Sequence, residues 1–510
     1  MSSMSIGSRW SKQIIFTLCL LWVGRVLPAQ VVQSGRFEVA LNDQESSQFG
    51  TQALGENGLV MYRQISGMGQ DQLEIIKVDT TFREIWKVHI DVNKTQSLLR
   101  VDHHKDSLFL LFKDRFYLGG DFQLVNLDLV RGDYTIYIIK NLIPFNPLEF
   151  MVTQKAALIG GYYNYRPIVL HFSFSKMRSK ILPGFFNTPG ELNQLTSDVA
   201  GNIEVVVSAR NFEKKKSLWI RDYDAEGELI KTTIIRPEEN KNLLFGRSLL
   251  LSDGGQMVLG VYGRSTDYSR GIFLARVKPN GEYSTQYYNF SELHNFFTYM
   301  KSRRQKRIKD RIERRTAEGK KIKFNYRFLI HDIIPYQGQF IMTGEAFYPH
   351  YHYSSMNYPD LRYSTNSVSM PGANNNLILD YYLYTHAVVI GFDVDGNMLW
   401  DNSFEINDAK SKQLGQFAKV RAEQNRIIML YLFQNILRTK VIQGSEVLNG
   451  KTLTQMKTSS EGEVADPRAA ENENLDYWYG RYFYACGVQK LRTDSGPWRK
   501  VFYISKIAYK

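Results

Sequence analysis

Cysteine is nearly missing from this 510-residue chain, which has only Cys19 and Cys486. Cys19 falls in an N-terminal leader, so the remainder keeps one thiol and cannot form an intramolecular disulfide. Its core must hold the fold, and a chain of this length can bury a large one. Long apolar runs are missing too. After Gly24 no stretch approaches the roughly 20 residues that a membrane helix requires. There is no G-x-S-x-G elbow, no H-E-x-x-H, no Walker A loop and no C-x-x-C pair. No cofactor is expected. Sialidase-type Asp boxes fail as well, because Ser252-Asp253-Gly254-Gly255 and Asp395-Gly396 break the required spacing.

The leader has the parts of a signal peptide. Arg9 and Lys12 form a basic start, Ile14 to Gly24 is an apolar run too short to span a bilayer, and Ala29 is a small residue before a cut that exposes Gln30. Residues 1–29 are therefore expected to be removed from an exported, extracytoplasmic protein of the periplasm, the outer-membrane surface or the medium. Cys19 lacks the small residue that precedes a lipoprotein cysteine, and Arg25 interrupts the run that an anchor needs. The net charge is +13, but three of these charges lie in the leader. Residues 301–323 hold twelve Lys and Arg against Asp310, Glu313 and Glu318. The rest is close to neutral, so the basicity belongs to one segment.

What the chain has in quantity is strand. Tyr (31) and Phe (30) are abundant, and both favour pleated backbone. Runs such as Leu108–Phe112, Ile203–Val207, Gln256–Gly260, Ala387–Ile390 and Ile427–Phe433 are apolar nearly throughout, as strands covered on both faces are. A membrane barrel would alternate apolar with polar instead. A turn repeats: Tyr223-Asp-Ala-Glu-Gly227, Val277-Lys-Pro-Asn-Gly281 and Phe392-Asp-Val-Asp-Gly396, with a degenerate copy from Val78 to Trp86. Trp86 stands at the same offset as Trp400. Turns near 80, 131, 175, 226, 280 and 395 recur about every fifty residues, the period of a four-stranded propeller blade, with one long gap before 395. The reading is all-β: a single β-propeller over residues 30–510, with insertions at 291–320 and 345–385. Six turns plus the C-terminal strands give seven blades, with six or eight as the neighbouring counts. The segment Arg36 to Leu41 is expected to pair into the last blade and remove an exposed edge.

The hairpin Asp393…Gly396…Trp400 resembles blades of quinoprotein-like and related propellers, and the leader ending Pro28-Ala29-Gln30 is similar to those of exported Bacteroidota proteins. This chain departs from the quinoprotein repeat, which has Thr before the Gly where Asp395, Glu226 or Asn280 stands here. The resemblance implies a fold and a compartment, and it brings no catalytic residue with it.

Two segments carry candidate sites. Ser291 is a suitable N-cap and Gly319 a suitable stop, so residues 291–320 read as a basic helix of roughly 40 Å. Phe296, Met300, Ile308 and Ile312 share one face, while Arg303, Arg304, Arg307, Arg311 and Arg314 populate the other. That face suits an acidic glycan, a lipid headgroup or an acidic protein surface; nucleic acid is not expected. Residues 345–385 are dense in Tyr and His. Tyr348, Tyr351 and Tyr353 can stack on sugar rings. His350 and His352 project to one side of an extended chain, the start of a metal site that Asp380 or His386 would have to complete. Asp222-x-Asp224-x-Glu226-Gly227 imitates a calcium loop, but Thr233 replaces the twelfth-position Glu. His103-His104 is expected at the surface. The leading expectation is a non-catalytic, exported propeller that binds a partner or serves as an envelope scaffold, both insertions framing one face. The alternative is a glycan hydrolase or lyase on the same fold, which axial carboxylates or histidines would favour.

Overall fold

The computed structural model describes residues 31–509 apart from 43–48, 185–188, 265–267, 321, 354–376, 413, 461 and 494–495. The expected leader with Cys19, together with Tyr358, Tyr363 and Asn374–Asn376, lies outside the described residues.

The strands form eight antiparallel sheets. Seven are four-stranded meanders in chain order: blades 1 (50–92), 2 (96–139), 3 (146–181), 4 (190–235), 5 (242–289), 6 (327–411) and 7 (419–455). Blade 8 combines residues 471–509 with Val31–Leu41, and Val464–Ala465 pairs alongside. We label the strands of each blade A to D from the axis outward. The first strand made becomes strand D of the last blade, in register from Val31 opposite Tyr509 to Leu41 opposite Lys500. This closure leaves no sheet edge open along the C-terminal strand Arg499–Tyr509, which has strand B on its other side.

The apolar B and C strands follow from stacking. Gln256–Gly263 is buried along its whole length because both faces are covered. Buried side chains form eight hydrophobic clusters, one between each pair of neighbouring blades. Leu59, Met61, Trp478 and Ile504 join blade 8 to blade 1, and the Trp478 indole donates to the Gly58 carbonyl at 2.9 Å.

The expected seven blades are therefore corrected to eight. The six turns seen in the sequence are the C–D turns of blades 1 to 6, and the C-terminal strands counted as one blade are two. Blade 7 escaped because its C–D turn is only Gly444-Ser445 and its D strand, Glu446–Gln455, is mostly exposed and polar.

A meander puts A–B and C–D turns at one end of a blade and B–C and D–A connections at the other. We call these ends the turn face and the loop face. Both insertions open on the loop face: residues 290–326 link D of blade 5 to A of blade 6, and the 345–385 segment joins B to C of blade 6. Its described limbs are not a packed loop but extensions of Gln339–Tyr353 and Leu377–Phe392, paired as far as Tyr353 opposite Leu377. Among the described residues no helix is long and apolar enough to cross a membrane.

Candidate functional site

The 290–326 connection is a wedge before it is a helix. Asn289 and Glu292 form a capping box around a short turn at Phe290–Glu292. Phe290, Phe296 and Phe297 are then fully buried between blades 5 and 6 and stack on one another, on Tyr326 and on Phe328. The backbone is clamped by Asp401, whose carboxylate accepts from the amides of His294 (2.9 Å) and Asn295 (2.7 Å). Burial raises the Asp401 carboxyl's pKa, and those two amide bonds act against the rise.

Tyr299 closes the wedge by stacking on the His386 ring at 3.9 Å with planes 6° apart. His386 is completely buried, its pKa is lowered to about 3 by burial, and its Nε2 has no partner. The imidazole is neutral packing material, not an acid–base group at physiological pH.

Helix α1 runs from Ser302 to Ala317. It starts at an uncapped Lys301 rather than at Ser291, because Phe296 and Met300 belong to the wedge and not to a helical stripe. Ile308 and Ile312 do pack on the cluster between blades 5 and 6. Gly319 takes a φ of +69°, and the Gly319 and Lys320 amides return to the Thr316 and Arg315 carbonyls, ending the helix as a Schellman motif does. Arg303, Arg304, Arg307, Arg311 and Arg314 are all exposed.

The first turn of the helix lies on the same face as the base of the hairpin, near enough for its charge to be felt there. The register Arg327–Phe347–Tyr384 marks where strand A of blade 6 begins, so Tyr348 to Tyr353 project past it on the loop face. Burial raises the hydroxyl pKa values of Tyr299, Tyr326 and Tyr348, and the charge of Arg304 acts on all three in the opposite sense. Tyr268, at the neighbouring B–C connection of blade 5, has Arg327 over its ring at 5.2 Å and also acts on Tyr348. Tyr348 and Tyr351 are exposed. Tyr353 keeps its strand position, but its side chain lies outside the described residues.

The hairpin histidines share a partner. Asp380 sits at a bulge opposite them, and each carboxylate oxygen faces one Nδ1: His350 at 3.2 Å, and His352 in close contact. Those bonds hold the Asp380 pKa below its usual value despite an opposing desolvation effect. His350 also stacks on Tyr381 at 4.7 Å. Among the described residues no group of three or more His, Cys, Asp or Glu is disposed to hold a metal. The calcium-like Asp222–Gly227 stretch is the end of strand C and the C–D turn of blade 4.

Sequence reasoning missed the axis. The A strands of blades 2, 3 and 5 each carry a bulge; Arg100 and Glu149 directly follow theirs, and Arg247 stands two residues beyond Phe245, which follows the third. Arg100 donates to the Leu148 carbonyl of the next blade (3.0 Å), and Arg247 donates to the Ile330 carbonyl and to Asp332 (2.9 Å). Glu149 is solvent-exposed, yet desolvation by the protein crowded around the axis raises its carboxyl's pKa, with Arg100 and Arg247 opposing. No local signal marks these residues, since each comes from a different blade. His103 and His104, expected at the surface, are half-buried in the same layer, and His103 Nδ1 lies 3.1 Å from Gln52 of blade 1. The buried His331–Glu345 pair is committed to the fold, because Glu345 accepts the amides of Phe417 and Ala418.

No family model and no curated protein matches the chain. Among solved structures it is similar to the polysaccharide lyase Uly1 (TM-score 0.40, 10% identity, 80% of this chain and 89% of that one). It is also similar to the Dos1 propeller (0.38, 10%, 79% and 89%) and to the β-propeller domain of the Trilobed protease from Pyrococcus furiosus (0.34, 10%, 80% and 95%). At these identities the likeness is one of fold alone.

Proposed function

We propose that the chain is an exported, non-catalytic β-propeller that binds an anionic ligand or protein partner, or serves as a scaffold, in the cell envelope. Its blades would be of the quinoprotein-like or related repeat type, in an envelope like that of Bacteroidota. The observation that supports binding is that the two insertions share one face at neighbouring blades. The start of α1 and the base of the Tyr hairpin share the loop face at blades 5 and 6, with Arg304 acting on Tyr348. In this reading Arg303, Arg304, Arg307, Arg311 and Arg314 take the anionic groups, and Tyr348, Tyr351 and Tyr353 take rings.

Deleting the whole 291–320 segment would remove Phe296 and Phe297 from the core, so it cannot test binding alone. Replacing the five exposed arginines by glutamine leaves the wedge in place. Binding to acidic glycans or anionic vesicles should then fall about a thousandfold, at roughly 1 kcal/mol for each of the five cations near an anionic surface. Unchanged binding refutes the assignment.

A propeller enzyme acting on glycans is the second reading, and Glu149 favours it: an axial carboxyl held above its usual pKa. Turnover of any polysaccharide by the wild type that Glu149→Gln abolishes would replace the binding reading.

A further inference from the structure

Away from blades 5 and 6, the loop face carries a second pattern. The B–C connections of blades 1, 2, 3, 4 and 8 end in large apolar side chains, three of which touch almost nothing. Met68 of blade 1 and Phe212 of blade 4 are exposed to the full extent of a free side chain (104% and 103%), and Phe116 of blade 2 reaches 85%. Tyr165 of blade 3 and Trp498 of blade 8 are also exposed at their tips. On the turn face the exposed large apolar residues of the turns are Val130, Met177, Val199 and Val394, with no aromatic among them. Leaving such side chains in water is costly, and a set of them on one face marks an interaction surface.

Cations stand beside three of the tips: Lys94 donates to the Met68 carbonyl, Lys214 follows Phe212 together with a Lys215 that is paired to Glu213 at 3.4 Å, and Arg492 covers the Trp498 ring at 4.7 Å, while Arg115 next to Phe116 is paired to Asp71. The distribution chooses the partner. The tips come from five consecutive blades, 8 and 1 to 4, an arc on the side of the ring away from α1 and the hairpin, so a linear chain in one groove would meet only some of them, whereas a bilayer meets all. Full projection also suits insertion among lipid chains better than stacking, which needs a ring face supported from behind.

We infer that the loop face docks on an anionic lipid bilayer, inserting the B–C tips at Met68, Phe116, Phe212 and Trp498 while the neighbouring Lys and Arg meet headgroups. The five arginines at blades 5 and 6 lie on the same face and are untouched by the variants below, so a loss in the tip variants is distinguishable from a loss in the arginine variant.

The test uses the full mature chain with vesicles of phosphatidylglycerol and phosphatidylcholine, against phosphatidylcholine alone. The wild type should co-sediment with the anionic vesicles, and Phe116→Ser/Phe212→Ser should weaken this by about tenfold or more. Brominated lipid should quench a fraction of the tryptophan emission that Trp498→Phe lacks. Both substitutions are at exposed positions, and near-UV circular dichroism would verify that the fold is kept. Unaltered sedimentation of the double variant, or no quenching assignable to Trp498, overturns the inference. So does binding to soluble polygalacturonate, without vesicle binding, that the same substitutions weaken.

Discussion

The turn face and the loop face are produced by one meander, yet they differ in what they tolerate. C–D turns on the turn face are short and self-capped. Asp79, Asp128, Asp224 and Asp393 each accept amides from their own turn, and Gly132, Gly227, Gly281 and Gly396 take positive φ between 77° and 91°. The turns of blades 4 and 6 add acids, with Asp224, Glu226 and Glu228 in one and Asp393 and Asp395 in the other. The loop face holds α1, the Tyr hairpin and the projecting tips. The outer hairpin of a blade has to close tightly. The B–C and D–A connections are freer, so new chemistry accumulates there.

The largest expected effect tests whether the loop-face insertion is really separate from the core. Phe296→Ala should cost about 3–5 kcal/mol, because it empties the wedge between blades 5 and 6, and a denaturant titration would read it. On the turn face, Gly396→Ala should cost about 1–3 kcal/mol, since φ is +91° and an added Cβ would collide with Leu274. A loss of equal size in Phe296→Ala and Gly396→Ala would blur the contrast.

A third prediction uses pH. Glu204, beside the A–B turn of blade 4, accepts from Ser248 (3.2 Å) and Gln256 (2.7 Å) of blade 5. Burial first, and then Asp222, push its carboxyl up to about 7 from 4.5. The folded chain keeps this proton where the unfolded chain has lost it. The group's contribution to stability is complete below pH 4.5, declines as pH rises, and is gone above 7. Glu204→Gln should flatten this slope and stabilise the protein at pH 8 by about 1–3 kcal/mol. The smallest effect is the counterpart on α1, where the five Arg→Gln changes should move stability by less than about 0.5 kcal/mol while ligand binding is lost. A large loss of stability there would make those arginines structural.

Six of the eight blades could be read from turn chemistry because Asp, Asn, Ser or Gly sits where a tight outer hairpin needs it. Blade 7 was not legible: a two-residue turn with Gly444 at φ +57° needs no Asp cap, and its outer strand has no apolar signature. The end of α1 at Gly319 was readable, but its start was not. Phe296 and Met300 happen to continue the spacing of Ile308 and Ile312, and only packing shows that the first pair belongs to a wedge. Arg100, Glu149 and Arg247 were beyond sequence reasoning, since a ring, not a local motif, brings them together.

The clasp between Val31–Leu41 and Arg499–Tyr509 also sets an order of events. The opening segment of the ring has no mate until the other strands of the ring have been synthesised, so completion of the circle is a late step and not a seed. Until then its hydrogen-bonding groups stay available to water, to a chaperone or to another copy of the chain.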